Sequence, residues 1–126
     1  MMSNILDLSV YAVVGSPLCV ASSDGQLVYE RLAAALNEGR RVKLSFHNVT
    51  TLTSAFLNAA IGQLYGVFTE DQIRAQLSVQ DMEQDDMALL RRVVDTAKQY
   101  FKDPSRFDQA IQETLEDDDD IDAQGG

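Results

Sequence analysis

The sequence predicts an α/β fold: a small mixed β-sheet packed against helices in a single domain. Three observations carry that expectation. Residues 41–46 alternate apolar and polar side chains with the period of a strand, while residues 83–102 repeat apolar side chains with the period of a helix. Segments of the two kinds follow each other along the chain, as strands and crossover helices do in α/β proteins. At 126 residues and 45% hydrophobic, the chain suffices for one core of its own and no second full domain.

The first element is expected to be a strand over residues 5–14, because Leu6, Leu8, Val10, Ala12 and Val14 share one parity against Asp7 and Ser9. Gly15, Ser16 and Pro17 then form a turn, and Leu18, Cys19 and Val20 give a short strand or an extended lead-in. Ser23, with Gln26 three residues on, has the spacing of a capping box and opens a helix. Leu27, Val28, Leu32, Ala35 and Leu36 follow at helical spacing, and Gly39 supplies the stop. In the strand at 41–46, Val42, Leu44 and Phe46 face one way and Lys43 and Ser45 the other.

Residues 47–53 read as a polar loop with Val49 and Leu52 as apolar plugs. A helix then starts near Thr53 or Ser54, with Phe56, Leu57, Ala60, Ile61, Leu64 and Val67 as its apolar stripe. Thr69 and Gln72 make a second capping box for a helix ending near Gln76, and residues 77–80 form a short strand. In the helix at 83–102, Met87, Leu90, Val93 or Val94, Ala97 and Phe101 recur every three or four residues. Asp85 and Asp86 at its front and Lys98 and Lys102 at its back suit the helix dipole. Asp103 and Pro104 then cap a last helix carrying Phe107, Ile111 and Leu115. Residues 1–115 form the domain on this reading. Residues 116–126 form an acidic, disordered C-terminal tail, in which like charges repel and little can be buried.

That tail accounts for most of the charge. The formal net charge is −10, and setting aside Glu116, Asp117, Asp118, Asp119, Asp120 and Asp122 leaves −4. Basic pairs no larger than Arg40–Arg41 and Arg91–Arg92 make the chain a poor binder of nucleic-acid backbones, so no direct nucleic-acid contact is expected. One cysteine, Cys19, excludes an internal disulfide, and with His47 the only histidine neither a Cys-rich nor a His-rich metal site can be built. No cofactor is expected: Gly15, Gly25, Gly39, Gly62 and Gly66 match no phosphate-binding spacing. Gly62 and Gly66, four apart, suit the close approach of a neighbouring element. No apolar run reaches the length of a membrane span, and the N-terminus lacks a basic leader, so a cytoplasmic location is expected.

Candidate chemistry is sparse. Cys19 and His47 are the sole nucleophile–base candidates, but Cys19 between Leu18 and Val20 reads as a small buried hydrophobe. Asp85 and Asp86 are explained by the helix dipole. The densest polar cluster is Thr50, Thr51, Thr53 and Ser54, where a loop feeds a helix. It is either a helix cap with turn-forming hydroxyls or a place for a phosphorylated side chain or small anion. The acidic tail is open to three readings: a solubilising segment, a contact for a basic partner, or a mimic of nucleic-acid charge. The last would make the protein a small acidic inhibitor.

Residues 22–68 resemble a STAS-like domain family of unknown function from bacteria and their phages, and are distantly similar to the STAS domains of anti-sigma factor antagonists. The resemblance rests on Ser22-Ser23-Asp24-Gly25 and Leu32 in the first helix, Val42-Lys43-Leu44-Ser45-Phe46-His47-Asn48-Val49 in a strand and turn, and Thr53-Ser54-Ala55-Phe56-Leu57-Asn58 at the next helix. Antagonist domains carry Asp-Ser-x-Gly at that last position and are phosphorylated on its Ser, which falls on Ser54. Thr53 stands here for the acid and Phe56 for the Gly, a departure that STAS-like members share. Some of those are joined to, or encoded beside, histidine-kinase-type ATPase domains. The resemblance implies a non-enzymatic regulatory module that docks a protein partner through Thr50, Thr51, Thr53, Ser54, Phe56 and Asn58, with Ser54 the candidate phosphosite. An exposed Phe56 would anchor the contact, whereas its place in the apolar stripe favours burial.

Overall fold

The computed structural model describes residues 4–102. The expected last helix with Phe107, Ile111 and Leu115, the acidic tail and the boundary between residues 115 and 116 lie outside the described residues.

Among the described residues five strands and five α-helices follow one another (β1 Ile5–Ser9, α1 Val10–Val14, β2 Leu18–Cys19, α2 Ser22–Asn37, β3 Arg41–Ser45, β4 Thr51–Leu52, α3 Ser54–Ala60, α4 Glu70–Gln76, β5 Leu77–Gln80, α5 Gln84–Lys102), with a 3-10 helix, Gly62–Gly66, between α3 and α4. The α/β architecture is as expected, with one refinement. Among the described residues there are two sheets instead of one mixed sheet, ordered β1-β3-β5 and β2-β4, and every pair in them is parallel. Each pairing is bridged by a helical crossover, which returns the chain in the same direction.

Within the larger sheet Leu8, Val42 and Leu44 are buried under the helices, while Asp7, Arg41, Lys43, Ser78 and Gln80, on the other parity, are exposed. The core joins that buried face to Val28, Leu32 and Leu36 of α2, Phe56 and Leu57 of α3, and Leu64 of the 3-10 helix. The closest helix contact is α2 on α3. A Cβ placed at Gly25 would lie 2.4 Å from the Phe56 carbonyl oxygen and 2.9 Å from the Ala59 Cβ. Only hydrogen fits there.

Several local expectations are corrected. The strand over 5–14 stops at Ser9, whose Oγ accepts from the Ala12 N–H at 3.1 Å and so caps α1. Gly15, at φ 79°, closes the turn with its N–H on the Tyr11 carbonyl. Burial of Val10 in the core outweighs the strand propensity of Val10, Val13 and Val14. Ser23 caps nothing: α2 begins at Ser22 after Ala21, without a side-chain cap. The pairing of residues 17–20 with residues 50–53 fixes where the helix can start, which overrides the local capping-box pattern. The helix expected to carry the stripe to Val67 ends at Ala60 and is followed by the 3-10 helix; Ile61 and Leu64 of the stripe are buried as expected, and Val67 is exposed. At the break Gln63 Nε2 donates to the Ala59 carbonyl at 2.7 Å and to Gln26 Oε1 at 2.8 Å, tying it to α2.

Other expectations hold. Thr69 Oγ1 accepts from the Gln72 N–H at 3.0 Å and α4 ends at Gln76. Gly39 stops α2 at φ 74°. Gly62 and Gly66 admit α5, facing Val93 and the Phe101 ring. On α5 itself Val93 and Ala97 are the buried positions, while Met87 and Phe101 at its ends are exposed.

Candidate functional site

The loop before α3 is stitched to the chain before α2. The Thr50 and Thr51 N–H groups donate to the Pro17 carbonyl at 2.9 and 3.3 Å, and the Thr50 hydroxyl reaches the same oxygen at 3.3 Å. Residues 51–52, expected as loop, pair with Leu18–Cys19 as β4. The Thr53 N–H donates to the Cys19 carbonyl at 3.3 Å.

Thr53 has two tasks. Its hydroxyl donates to the Val20 carbonyl at 2.6 Å and accepts from the Phe56 N–H at 3.2 Å, so it caps α3 while holding it to the entry of α2. An ionised Asp could accept from the helix but could not donate to Val20, which is a physical reason for a hydroxyl here. With the Phe56 N–H already taken, the helix start is capped from within.

The expected site residues divide accordingly. Thr50, Thr51, Ser54 and Asn58 are exposed, and Thr53 is half-buried in its cap. Phe56 is 0% exposed and belongs to the core, so the role of apolar anchor falls. Its place in the stripe, two residues beyond the first turn's exposed Ser54, turns it inward.

Ser54 and Asn58 line the near wall of a cleft of about 510 Å³ whose far wall is α5, with Leu89, Arg92, Thr96 and Tyr100. Arg92 takes part in none of the ion pairs found among the described residues. A hydroxyl, an amide and a guanidinium therefore rim an apolar cleft. Sequence reasoning missed the α5 wall. Its signal was present: Leu89, Arg92 or Val93, Thr96 and Tyr100 recur at intervals of three and four, beside the core stripe.

Elsewhere, polar groups act as braces. Lys98 Nζ lies 2.9 Å from Glu70 Oε2 and 5.9 Å from the Tyr65 ring centre, and Arg74 approaches the same carboxylate at 2.8 Å. The hydrogen bond from Lys98 holds the Glu70 carboxyl below its usual range, and burial pushes the Tyr65 hydroxyl up. Ser45 Oγ donates to Asp81 Oδ2 at 2.7 Å and accepts from the His47 N–H at 3.2 Å, joining the loops after β3 and β5. That hydroxyl is committed to a carboxylate, not to an imidazole base. Cys19 is 0% exposed, and burial, with Asp24 nearby, pushes its thiol up to about 11, away from a reactive thiolate. His47 is exposed in the turn after β3. Asp85 and Asp86 occupy the first turn of α5. Among the described residues no three His, Cys, Asp or Glu side chains are grouped to hold a metal, and no helix is long and apolar enough to cross a membrane.

Parallel strands joined by helical crossovers, with a polar rim at the start of a short helix, define a small α/β domain with a STAS-like arrangement. A family model described as a STAS-like domain of unknown function matches residues 24–87, from the first turn of α2 into α5, and the chain belongs to that family. No curated protein and no solved structure matches the chain.

Proposed function

We propose that this protein is a regulatory interaction module without catalytic activity of its own. It docks a protein partner through the face formed by Thr50, Thr51, Ser54 and Asn58, and phosphorylation of Ser54 releases that partner. The observation that carries the reading is the exposure of those four side chains, Thr50 and Thr51 on backbone hydrogen-bonded to Pro17, and Ser54 and Asn58 on the helix that Thr53 ties to Cys19 and Val20. A preorganised polar rim next to an apolar cleft loses little entropy on docking. With Phe56 in the core, Leu89 and Tyr100 supply the apolar contact. A phosphate on Ser54 adds about −1.5 to −2 charge at the rim, which the helix start tolerates and a docked acidic or apolar surface does not. A histidine-kinase-type ATPase, the partner that the resemblance to STAS-like members implies, is the first to test.

Affinity capture from the host with wild type, Ser54→Asp and Lys43→Glu tests this, after circular dichroism has shown that both variants fold. Lys43 lies on the sheet face turned away from the helices and serves as the control. A partner retained by wild type and Lys43→Glu and lost with Ser54→Asp is the expected result. A partner indifferent to Ser54→Asp removes the switch, and turnover of a substrate without any partner overturns the module itself.

A further inference from the structure

We propose that the edge of β5 takes up an extended, basic segment of a partner protein as an added strand, whose apolar side chains enter the groove between β5 and α5. Among the described residues β5 is paired on one side only, with β3. The Phe46 N–H donates to the Gln80 carbonyl at 3.0 Å, which puts the backbone groups of Gln80, and by alternation those of Ser78, on the β3 side. The backbone groups of Leu77 and Val79 therefore point away from β3. The Leu77 N–H donates to the Ile73 carbonyl and ends α4. The Leu77 carbonyl and both backbone groups of Val79 are left open to a further strand.

A groove runs beside that edge. Cavities of about 400 and 190 Å³ share Val79, Leu90, Val94 and Lys98, and together they follow β5 from Asp81 to Leu77. Met82 and Met87 line the end near Asp81 with unbranched apolar chains that adapt to what they meet. Leu77 and Val79 share the helix-facing parity of Val42 and Leu44. An added strand would thus set every second side chain into the groove and leave the others in solvent beside Ser78 and Gln80. Charge selects the occupant. Asp81, Glu83, Asp85 and Asp86 surround Met82 in the chain, with no basic residue among residues 81–86. Asp95 adds a fifth acid against Arg91, and Lys98 is engaged by Glu70. A second copy of this chain, itself at −10, is repelled by these acids, whereas a basic segment is drawn in. The groove shares no lining residue with the cleft at Ser54 and Asn58, so a segment seated here leaves that contact open.

The test adds a nine-residue peptide of alternating valine and lysine to the isotope-labelled full chain and follows its amides by NMR and hydrogen exchange. In the protein alone the Val79 N–H exchanges rapidly, while those of Ser78 and Gln80 are held by the ladder. Bound peptide shifts Val79, Leu90 and Val94 and slows exchange at Val79 by about tenfold or more. Two further peptides carry N-methyl groups, one on its valines and one on its lysines. Only one of them binds, because alternate N–H groups of an added strand face β5. Met87→Lys, at an exposed position, weakens binding through like charge, and Ser54→Asp leaves it unchanged. No shift at millimolar peptide, shifts confined to Asp85 and Asp86, or methylated peptides that bind alike overturn the proposal. So does a Val79 N–H already protected in the protein alone, whether the protection fades on dilution, as for a second copy, or persists.

Discussion

Replacing Gly25 by Ala tests what holds α2 and α3 together. In an exposed helix interior the change stabilises by about 1 kcal/mol, since Ala loses less backbone entropy than Gly. Here the new methyl would sit 2.4 Å from the Phe56 carbonyl oxygen, 2.9 Å from the Ala59 Cβ and 3.2 Å from the Ala60 nitrogen. A carbon and a carbonyl oxygen settle at roughly 3.3 Å or more, so α3 must retreat by about 1 Å. A gap of that size costs the facing side chains a quarter to a half of their dispersion contact, and overpacking of this kind costs about 1–3 kcal/mol. Two of the three neighbours are backbone atoms and cannot rotate away, which puts the cost toward the upper end. The expected net is a destabilisation of about 1–2 kcal/mol, read as a lower urea midpoint with unchanged slope, or a fall in Tm of about 5–15 °C. Gly66→Ala is the comparison. Its methyl would meet the Phe101 ring at 2.6 Å, but that ring lies at the exposed end of α5 and can turn aside, so the cost stays within about 0.5 kcal/mol. A Gly25→Ala protein as stable as wild type would refute the reasoning.

Further outcomes follow from the cap and the core. Thr53→Val removes both hydrogen bonds of the hydroxyl and costs about 1–2 kcal/mol by denaturant unfolding, while Thr53→Ser stays within about 0.5 kcal/mol. Thr53→Asp keeps the cap and loses the donor to Val20, so it is less stable than Thr53→Ser despite being a good capping residue. Phe56→Ala costs about 3–5 kcal/mol, whereas Ser54→Asp stays within about 1 kcal/mol of wild type, a contrast that separates core from rim. Alkaline titration probes Cys19. The folded state holds the neutral thiol up to about 11 against an ordinary value of 9.0, so the unfolded chain deprotonates first and stability falls as pH rises through that window. The loss is about 2–3 kcal/mol in wild type, and Cys19→Ala removes this component of the slope.

Much of the fold was legible where one signal dominated. The alternation through Val42 and Leu44 marked β3, the Thr69–Gln72 spacing marked α4, and Gly39 marked a stop because its left-handed φ of 74° favours glycine. The signals failed where a residue served two elements. Ser9 fits a strand parity and a helix cap equally, and long-range pairing, not local pattern, put the start of α2 at Ser22 rather than behind a Ser23 cap. Glycine at position 25 gave no local sign that a backbone oxygen from a helix some thirty residues later would occupy its missing side chain. The candidate rim was found from its hydroxyls. Its other wall was not, because the cleft exists only once α5, carrying Arg92 and Tyr100, packs beside α3.

The three parallel ladders also bear on how the protein folds. Ile5 meets Arg41, Leu18 meets Thr51 and Val42 meets Leu77, so each pairing closes a loop of more than thirty residues at an entropic cost of about 3 kcal/mol. Among the described residues no hairpin offers the strands a local nucleus. The first two of these loops share α2, however, and once that helix docks the returning chain meets both ladders together. Its second closure is then nearly free, which makes the seating of α2 against α3, through Gly25 with the α3 backbone in the place of a side chain, the step on which assembly turns.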